Sequence, residues 1–197
     1  PADDTVYQDN LGRDLKGLKI GILTDMGFGP KPEAIVAATV EAAGKALEAQ
    51  GAIVSPFVSP LATDCYEPID KWLMIRGYAE WKALPEHEDH EFLHYVRDWC
   101  QPAKDMGALE AWAILGEITR MRAKLYDAFA DYDYVLAPTL PVVNFPAEEP
   151  GMFRDKPLAH TVFTAMFNQT GQPASSVNFA FDERHLPIGV QVVGHRC

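Results

Sequence analysis

His90-Glu91-Phe92-Leu93-His94 spells a metal chemistry. On a helix, histidines four residues apart share a face and can hold one zinc ion, while the glutamate between them activates water. A catalytic zinc takes three protein ligands, so the pair needs a further partner at a set distance. The extended motif would place a glycine where Arg97 stands, and no histidine follows His94 until His160. Glu110 and Glu117 are downstream carboxylates without distinguishing spacing. His87, His90 and His94 also share an acidic stretch with Glu86, Glu88 and Glu91, the composition of a solvated helix start. We read an exposed helix with incidental histidines and expect no metal and no organic cofactor. A zinc-dependent hydrolase built on His90, Glu91 and His94 is the alternative.

Nucleophilic catalysis is the next chemistry to test. The serines are Ser55, Ser59, Ser175 and Ser176, and none lies in a Gly/Ser-rich stretch. Ser176, Asp182 and His185 have the residue types of a hydrolytic triad, but they are close neighbours in sequence. No nucleophile elbow or oxyanion loop accompanies them. The sequence therefore contains no residue we assign as catalytic.

Three blocks near the carboxyl end carry more information. The first is Asp131-Tyr132-Asp133-Tyr134-Val135-Leu136-Ala137-Pro138-Thr139-Leu140-Pro141. Pro138 and Pro141 rigidify the backbone after a buried strand, where open α/β sheets build their sites. Thr139 between them offers a hydroxyl to such a site or to a backbone group in the turn. The second block is Phe163-Thr164-Ala165-Met166-Phe167-Asn168-Gln169-Thr170-Gly171-Gln172-Pro173-Ala174. Its Asn168, Thr170 and Gly171 cluster at a helix end, suiting either a cap or a pocket. The third is Leu186-Pro187-Ile188-Gly189-Val190-Gln191-Val192-Val193-Gly194. Gln191 sits among apolar strand residues, so its amide must find a hydrogen-bond partner.

In this order, the blocks resemble the D-x-x-x-x-P-T-x-P, F-T-x-x-F-N-x-T-G-x-P-A and L-P-x-G-V-Q-x-V-G elements of the amidase signature family. The segment Leu18–Val54 is similar to that family's strand and helix after its catalytic core. The resemblance implies a carboxamide C–N hydrolase with a Ser-Ser-Lys mechanism. Those catalytic residues would lie upstream of this chain, in a missing amino-terminal half. It implies a small amide substrate and makes Thr139, Asn168, Thr170, Gly171 and Gln191 the candidate pocket residues. Residues 1–16 read as a linker or lead-in, and 17–197 as the carboxyl-terminal part of an amidase domain, incomplete at both ends. A non-catalytic binding or partner module is the alternative from another class.

The elements that must position these residues are legible from periodicity. Leu18–Leu23 is a short buried strand, and Val36, Val40, Ala43 and Leu47 draw one apolar stripe along a helix over 33–50. Gly51 suits a left-handed helix end, and Ile53-Val54 a second strand. This βαβ unit implies parallel pairing. A helix near 69–79, opening at Pro68 and closed by Pro85, begins a helical middle. Ile114, Ile118, Met121, Leu125 and Phe129 make the cleanest stripe in the chain. Tyr134–Ala137 is a strand, Phe163–Asn168 a short helix, and Ser176–Phe181 with Ile188–Val193 a hairpin. The expected fold class is α/β: a mixed sheet flanked by helices, a partial amidase-signature fold.

Composition narrows the partners. The 197 residues are 48% hydrophobic and 23% charged, as expected of one folded domain. A net charge of −11 argues against nucleic acid and against anionic membrane surfaces. No run approaches the length of a membrane span. Cys65, Cys100 and Cys197 lie far apart, which suits a reducing cytoplasm. Unpaired strand edges and the Val36–Leu47 or Ile114–Phe129 helix faces predict a homo-oligomer.

Overall fold

The structure, a computed structural model, describes residue 12 and residues 14–62, 65–85, 87 and 93–196. Most of the expected lead-in at 1–16 lies outside these residues, as do His90, Glu91 and Cys197. In chain order the elements are β1 (Lys19–Ile22), α1 (Ala34–Glu48), β2 (Ile53–Pro56), α2 (Tyr66–Ala83) and α3 (His94–Cys100). They continue with α4 (Ala108–Phe129), β3 (Tyr134–Pro138), α5 (Val162–Thr170), β4 (Ala174–Phe181) and β5 (Pro187–Gly194). A short 3-10 turn at Gln101–Asp105 joins α3 to α4, and another at Ala159–Thr161 leads from the loop after β3 into α5. Pro68 falls inside the first turn of α2 instead of opening it, where its missing N–H costs no helical bond.

The five strands form one mixed sheet in the order β2-β1-β3-β5-β4. β1 pairs in parallel with β2, as the βαβ reading requires, and on its other side it pairs in parallel with β3. β5 then runs antiparallel to both β3 and β4. The α/β class and the hairpin are therefore as expected.

Helices cover both faces, because the inner strands alternate apolar side chains to the two sides. On one face α1 places Val40 and Ala43 against Ile20, Leu136 and Val190. Gly44 permits the close approach of α1, since a Cβ there would meet the Ile22 side chain at 2.6 Å. On the other face α4 and α5 lay Met121, Leu125, Phe129, Phe163 and Phe167 over Val135, Ala137 and Val193. All five members of the α4 stripe are buried.

That burial corrects one expectation. The stripes of α1 and α4 pack inside the chain and offer no interface. Exposed apolar groups off these stripes include Ile35 on α1, Val58 after β2, Val177, Phe179 and Phe181 on the edge strand β4, and Leu109 and Trp112 on the first turn and a half of α4.

Candidate functional site

Because β1, β2 and β3 are parallel, their carboxyl ends open on one side of the sheet, where α/β proteins bind ligands. Pro138 ends β3 there, and the Thr139 N–H donates to the Gly189 carbonyl at 3.2 Å. This bond carries the sheet pairing one residue past the strand and aims Thr139 at β4. The Thr139 Oγ1 and Ser176 Oγ lie 2.6 Å apart. Gly189 makes that approach possible, since a Cβ on it would sit 2.7 Å from Thr139 Oγ1 and 2.9 Å from Ser176 Oγ. The paired hydroxyls line a cavity of about 210 Å³ together with Leu140, Val142, Asn178 and Ile188.

Two tethers hold the outer wall of this cavity. The backbone N–H of Glu33, just before α1, donates to the Pro141 carbonyl at 2.7 Å, and its carboxylate accepts from the Val143 N–H at 3.2 Å. From the hairpin turn, Arg184 Nη2 donates to Asn144 Oδ1 at 2.9 Å while its Nε donates to Asp182 at 2.8 Å. The proline-rich loop is thus fastened at both ends of its first stretch.

The same turn disposes of the triad. The Asp182 carboxylate accepts from the Arg184 and Leu186 N–H groups, at 2.9 and 2.8 Å. Burial alone would raise this carboxyl, but the Leu186 and Arg184 hydrogen bonds and the Arg184 charge bring it below its usual range. The carboxylate is committed to the turn, Ser176 to Thr139, and His185 occupies a left-handed turn position at φ 61°.

Of the sequence-derived candidates, Thr139 alone lines the cavity. Asn168 is exposed on α5. The Thr170 hydroxyl is buried, its one proton lying between the Phe167 carbonyl at 3.0 Å and Gln172 Oε1 at 2.9 Å. The Thr170 carbonyl accepts from the Tyr126 hydroxyl at 2.5 Å. Gly171 caps α5 in the left-handed conformation at φ 68°. Gln191 is buried as expected of an inner strand, and its amide donates to the Phe163 carbonyl at 3.3 Å, pinning α5 to β5.

Sequence reasoning passed over Glu33, and it weighed Ser176 only as a nucleophile, not as a neighbour of Thr139. Pro173-Ala174-Ser175-Ser176 reads as a plain strand, and only the register Ser176 opposite Gln191 turns that serine toward Thr139. The metal motif falls largely outside the described residues, at His90 and Glu91. His94 begins α3 and borders an open groove of about 630 Å³ with Trp99, Glu149 and Arg154. Among the described residues, no group of three or more His, Cys, Asp or Glu is placed to hold a metal ion. Likewise, no described helix is long and apolar enough to cross a membrane.

A mixed sheet with a parallel βαβ start, an antiparallel hairpin end and helices on both faces defines an α/β protein, with the candidate cavity at the strand ends. The sequence pattern of the amidase family matches residues 1–197, and the chain belongs to that family, the amidase-signature enzymes. A glutamyl-tRNA(Gln) amidotransferase subunit of Synechococcus sp. (strain CC9605) is 28% identical over 219 residues, covering 96% of this chain and 44% of that protein. Its counterpart in Lachnospira eligens is 29% identical, covering 98% and 45%. Among solved structures, 6-aminohexanoate cyclic dimer hydrolase in complex with substrate superposes with a TM-score of 0.80 at 20% identity, covering 98% of this chain and 45% of that one. A bacterial aryl acylamidase of the amidase signature family gives 0.79 at 21% identity, covering 96% and 42%. These two similarities speak for the fold. The chain spans less than half the length of the relatives it matches.

Proposed function

We propose that this chain is the carboxyl-terminal part of an amidase that hydrolyses carboxamide C–N bonds. The observation that carries the reading is the match to the amidase family along the whole chain. The relatives' names, which include a cyclic dimer hydrolase, an acylamidase and an amidotransferase, share chemistry at an amide bond. In this reading the acyl group passes to a serine and then to water, by a Ser-Ser-Lys mechanism. The serine, its partner serine and the lysine lie in the portion of the enzyme upstream of this chain.

The chain's own serines support that division of labour. Ser59 Oγ donates to the Met26 carbonyl at 2.6 Å, Ser176 is paired with Thr139, and Ser55 and Ser175 lie on strands. A nucleophile needs a positioned base, and among the described residues none of these hydroxyls is hydrogen-bonded to one. This part supplies sheet strands and the pocket wall at Thr139, while nucleophile, proton relay and oxyanion donors come from the upstream part.

A panel of aryl and aliphatic amides tests the proposal, offered to the chain alone and to the protein extended upstream. The extended protein turns them over and loses activity when a serine of its Gly/Ser-rich stretch becomes alanine. The chain alone leaves them intact. Turnover by the chain alone that vanishes in Ser176→Ala would overturn the assignment.

A further inference from the structure

We infer that His160 is an acid-sensitive latch: its neutral ring seats the second stretch of the proline-rich loop, residues 145–157, and its protonation releases that stretch. The inference is independent of the amidase reading.

The loop is fastened unevenly. Its first stretch is hydrogen-bonded to the body of the chain at Thr139, Pro141, Val143 and Asn144. Over 145–157 the hydrogen bonds among the described residues are local. The Glu149 N–H donates to the Pro146 carbonyl, the Lys156 N–H to the Phe153 carbonyl, and Arg154 to Glu149. The Ala159 N–H, on the Lys156 carbonyl, only begins the turn that follows. This stretch is therefore held by packing. Lys156 Nζ rests 5.6 Å from the centre of the Tyr66 ring. The Phe145 ring lies 5.1 Å from that of His160, inclined at 50°. Gly151 is buried, and a Cβ on it would overlap the Pro157 carbonyl oxygen and come within 3.0 Å of His160 Nδ1. A bare backbone thus closes over the ring.

That closure leaves Nδ1 buried and without a hydrogen-bond partner. A neutral imidazole with its proton on Nε2 accepts such a place, because Nδ1 then carries only a lone pair. An imidazolium does not. It would put a second N–H and a charge under the loop, and a buried donor without an acceptor is costly. Burial holds His160 below the ordinary histidine value, with the Pro157 carbonyl only partly opposing it.

No carboxylate offsets the burial. Of the loop's charged groups, Glu149 is paired with Arg154, Asp155 and Lys156 act at Tyr66, and Glu148 is exposed. On α2, Asp70 accepts from the Trp99 N–H. Phe145 and Gly151, which touch the ring, carry no ionisable group.

Once the stretch lifts, water reaches the ring, which then titrates at the ordinary value of about 6.5. The open form takes up a proton that the seated form resists, so falling pH favours opening. Glu148, Pro150 and Asp155 form one side of the groove that Trp99 borders, and opening removes that side. The wall at Val143 stays, because Glu33 holds it.

Amide hydrogen exchange on the folded chain tests this, corrected for the intrinsic pH dependence of exchange. Between about pH 7 and pH 5, opening at Phe145, Gly151 and Phe153 increases about three- to ten-fold, as a proton-linked equilibrium requires. Val143, in the fastened stretch, does not change. His160→Gln, neutral throughout, removes the pH dependence. Gly151→Ala, which cannot close over the ring, raises the His160 titration midpoint to the ordinary value, read from the ring proton shifts. A pH dependence that survives His160→Gln, an equal increase at Val143, or an ordinary His160 midpoint in the unaltered chain would each overturn the inference.

Discussion

Strands β3 and β4 lie one strand apart in the same sheet, and both are rich in apolar residues, yet they live in opposite environments. Four of the five residues of Tyr134–Pro138 are buried. In Ala174–Phe181 seven of the eight are exposed, including Val177, Phe179 and Phe181. Composition does not separate them. Position does: β3 has neighbours on both sides and helices on both faces, while β4 has β5 on one side and its other edge open. The bulge between Asn178 and Ala180 adds twist at that edge, a common guard against indiscriminate pairing. One sheet thus contains a buried interior and an exposed margin, and the cavity at Thr139, Ser176 and Asn178 is lined from both.

The sharpest way to break this contrast is by truncation. Phe163 is fully buried under the sheet, and Phe163→Ala should cost about 3–5 kcal/mol, a large share of a typical domain's stability. Phe181, 59% exposed, should tolerate alanine within about 0.5 kcal/mol. Denaturant unfolding of the two variants decides it; similar losses would mean that β4 is covered in solution.

The open margin also predicts self-association. Pairing along β4 would satisfy its free edge and cover Val177, Phe179 and Phe181, with an interface of about 1,000 Å² or more. The charge of −11 favours a defined dimer over precipitate. Sedimentation at several concentrations should show a dimer that Val177→Lys and Phe179→Lys convert to monomer. A monomer throughout would show that the edge protects itself.

A smaller effect sits between the two regions. Gly171 holds φ 68° at the end of α5, where any side chain is strained, so Gly171→Ala should cost about 1 kcal/mol. Thermal melting would reveal it, and an unchanged midpoint would mean that the turn can relax.

The smallest effect is in pH. Burial lowers His160 below the usual histidine value, the Pro157 carbonyl partly opposing it. The unfolded chain then takes up a proton that the folded one resists. Stability is full above about pH 6.5 and declines as pH falls toward the lower folded value. Asp182 acts further down: its depressed carboxyl contributes fully above about pH 4 and less as pH drops through its folded value. His160→Gln should flatten the first slope and Asp182→Asn the second, both read from denaturant midpoints across the pH range.

The sequence by itself determined the helices and strands whose patterns are local. Ile114, Ile118, Met121, Leu125 and Phe129 recur at helical spacing because one face of a helix must be apolar, and all five are buried. Gly171 marks a helix end because few other residues accept a left-handed cap. Gln191 proved buried and hydrogen-bonded, as an amide on an inner strand must be. The three carboxyl-terminal blocks likewise marked the family. Only the tertiary structure decided that Ser176 faces Thr139, residues 37 positions apart in sequence. That pairing depends on strand register and on the missing side chain of Gly189, neither of which leaves a periodic trace. The structure also decided that Thr170 serves Gln172 and a helix end. Above all it decided that β4 is a margin and β3 a core, because burial belongs to a strand's neighbours and cannot be read from its own residues.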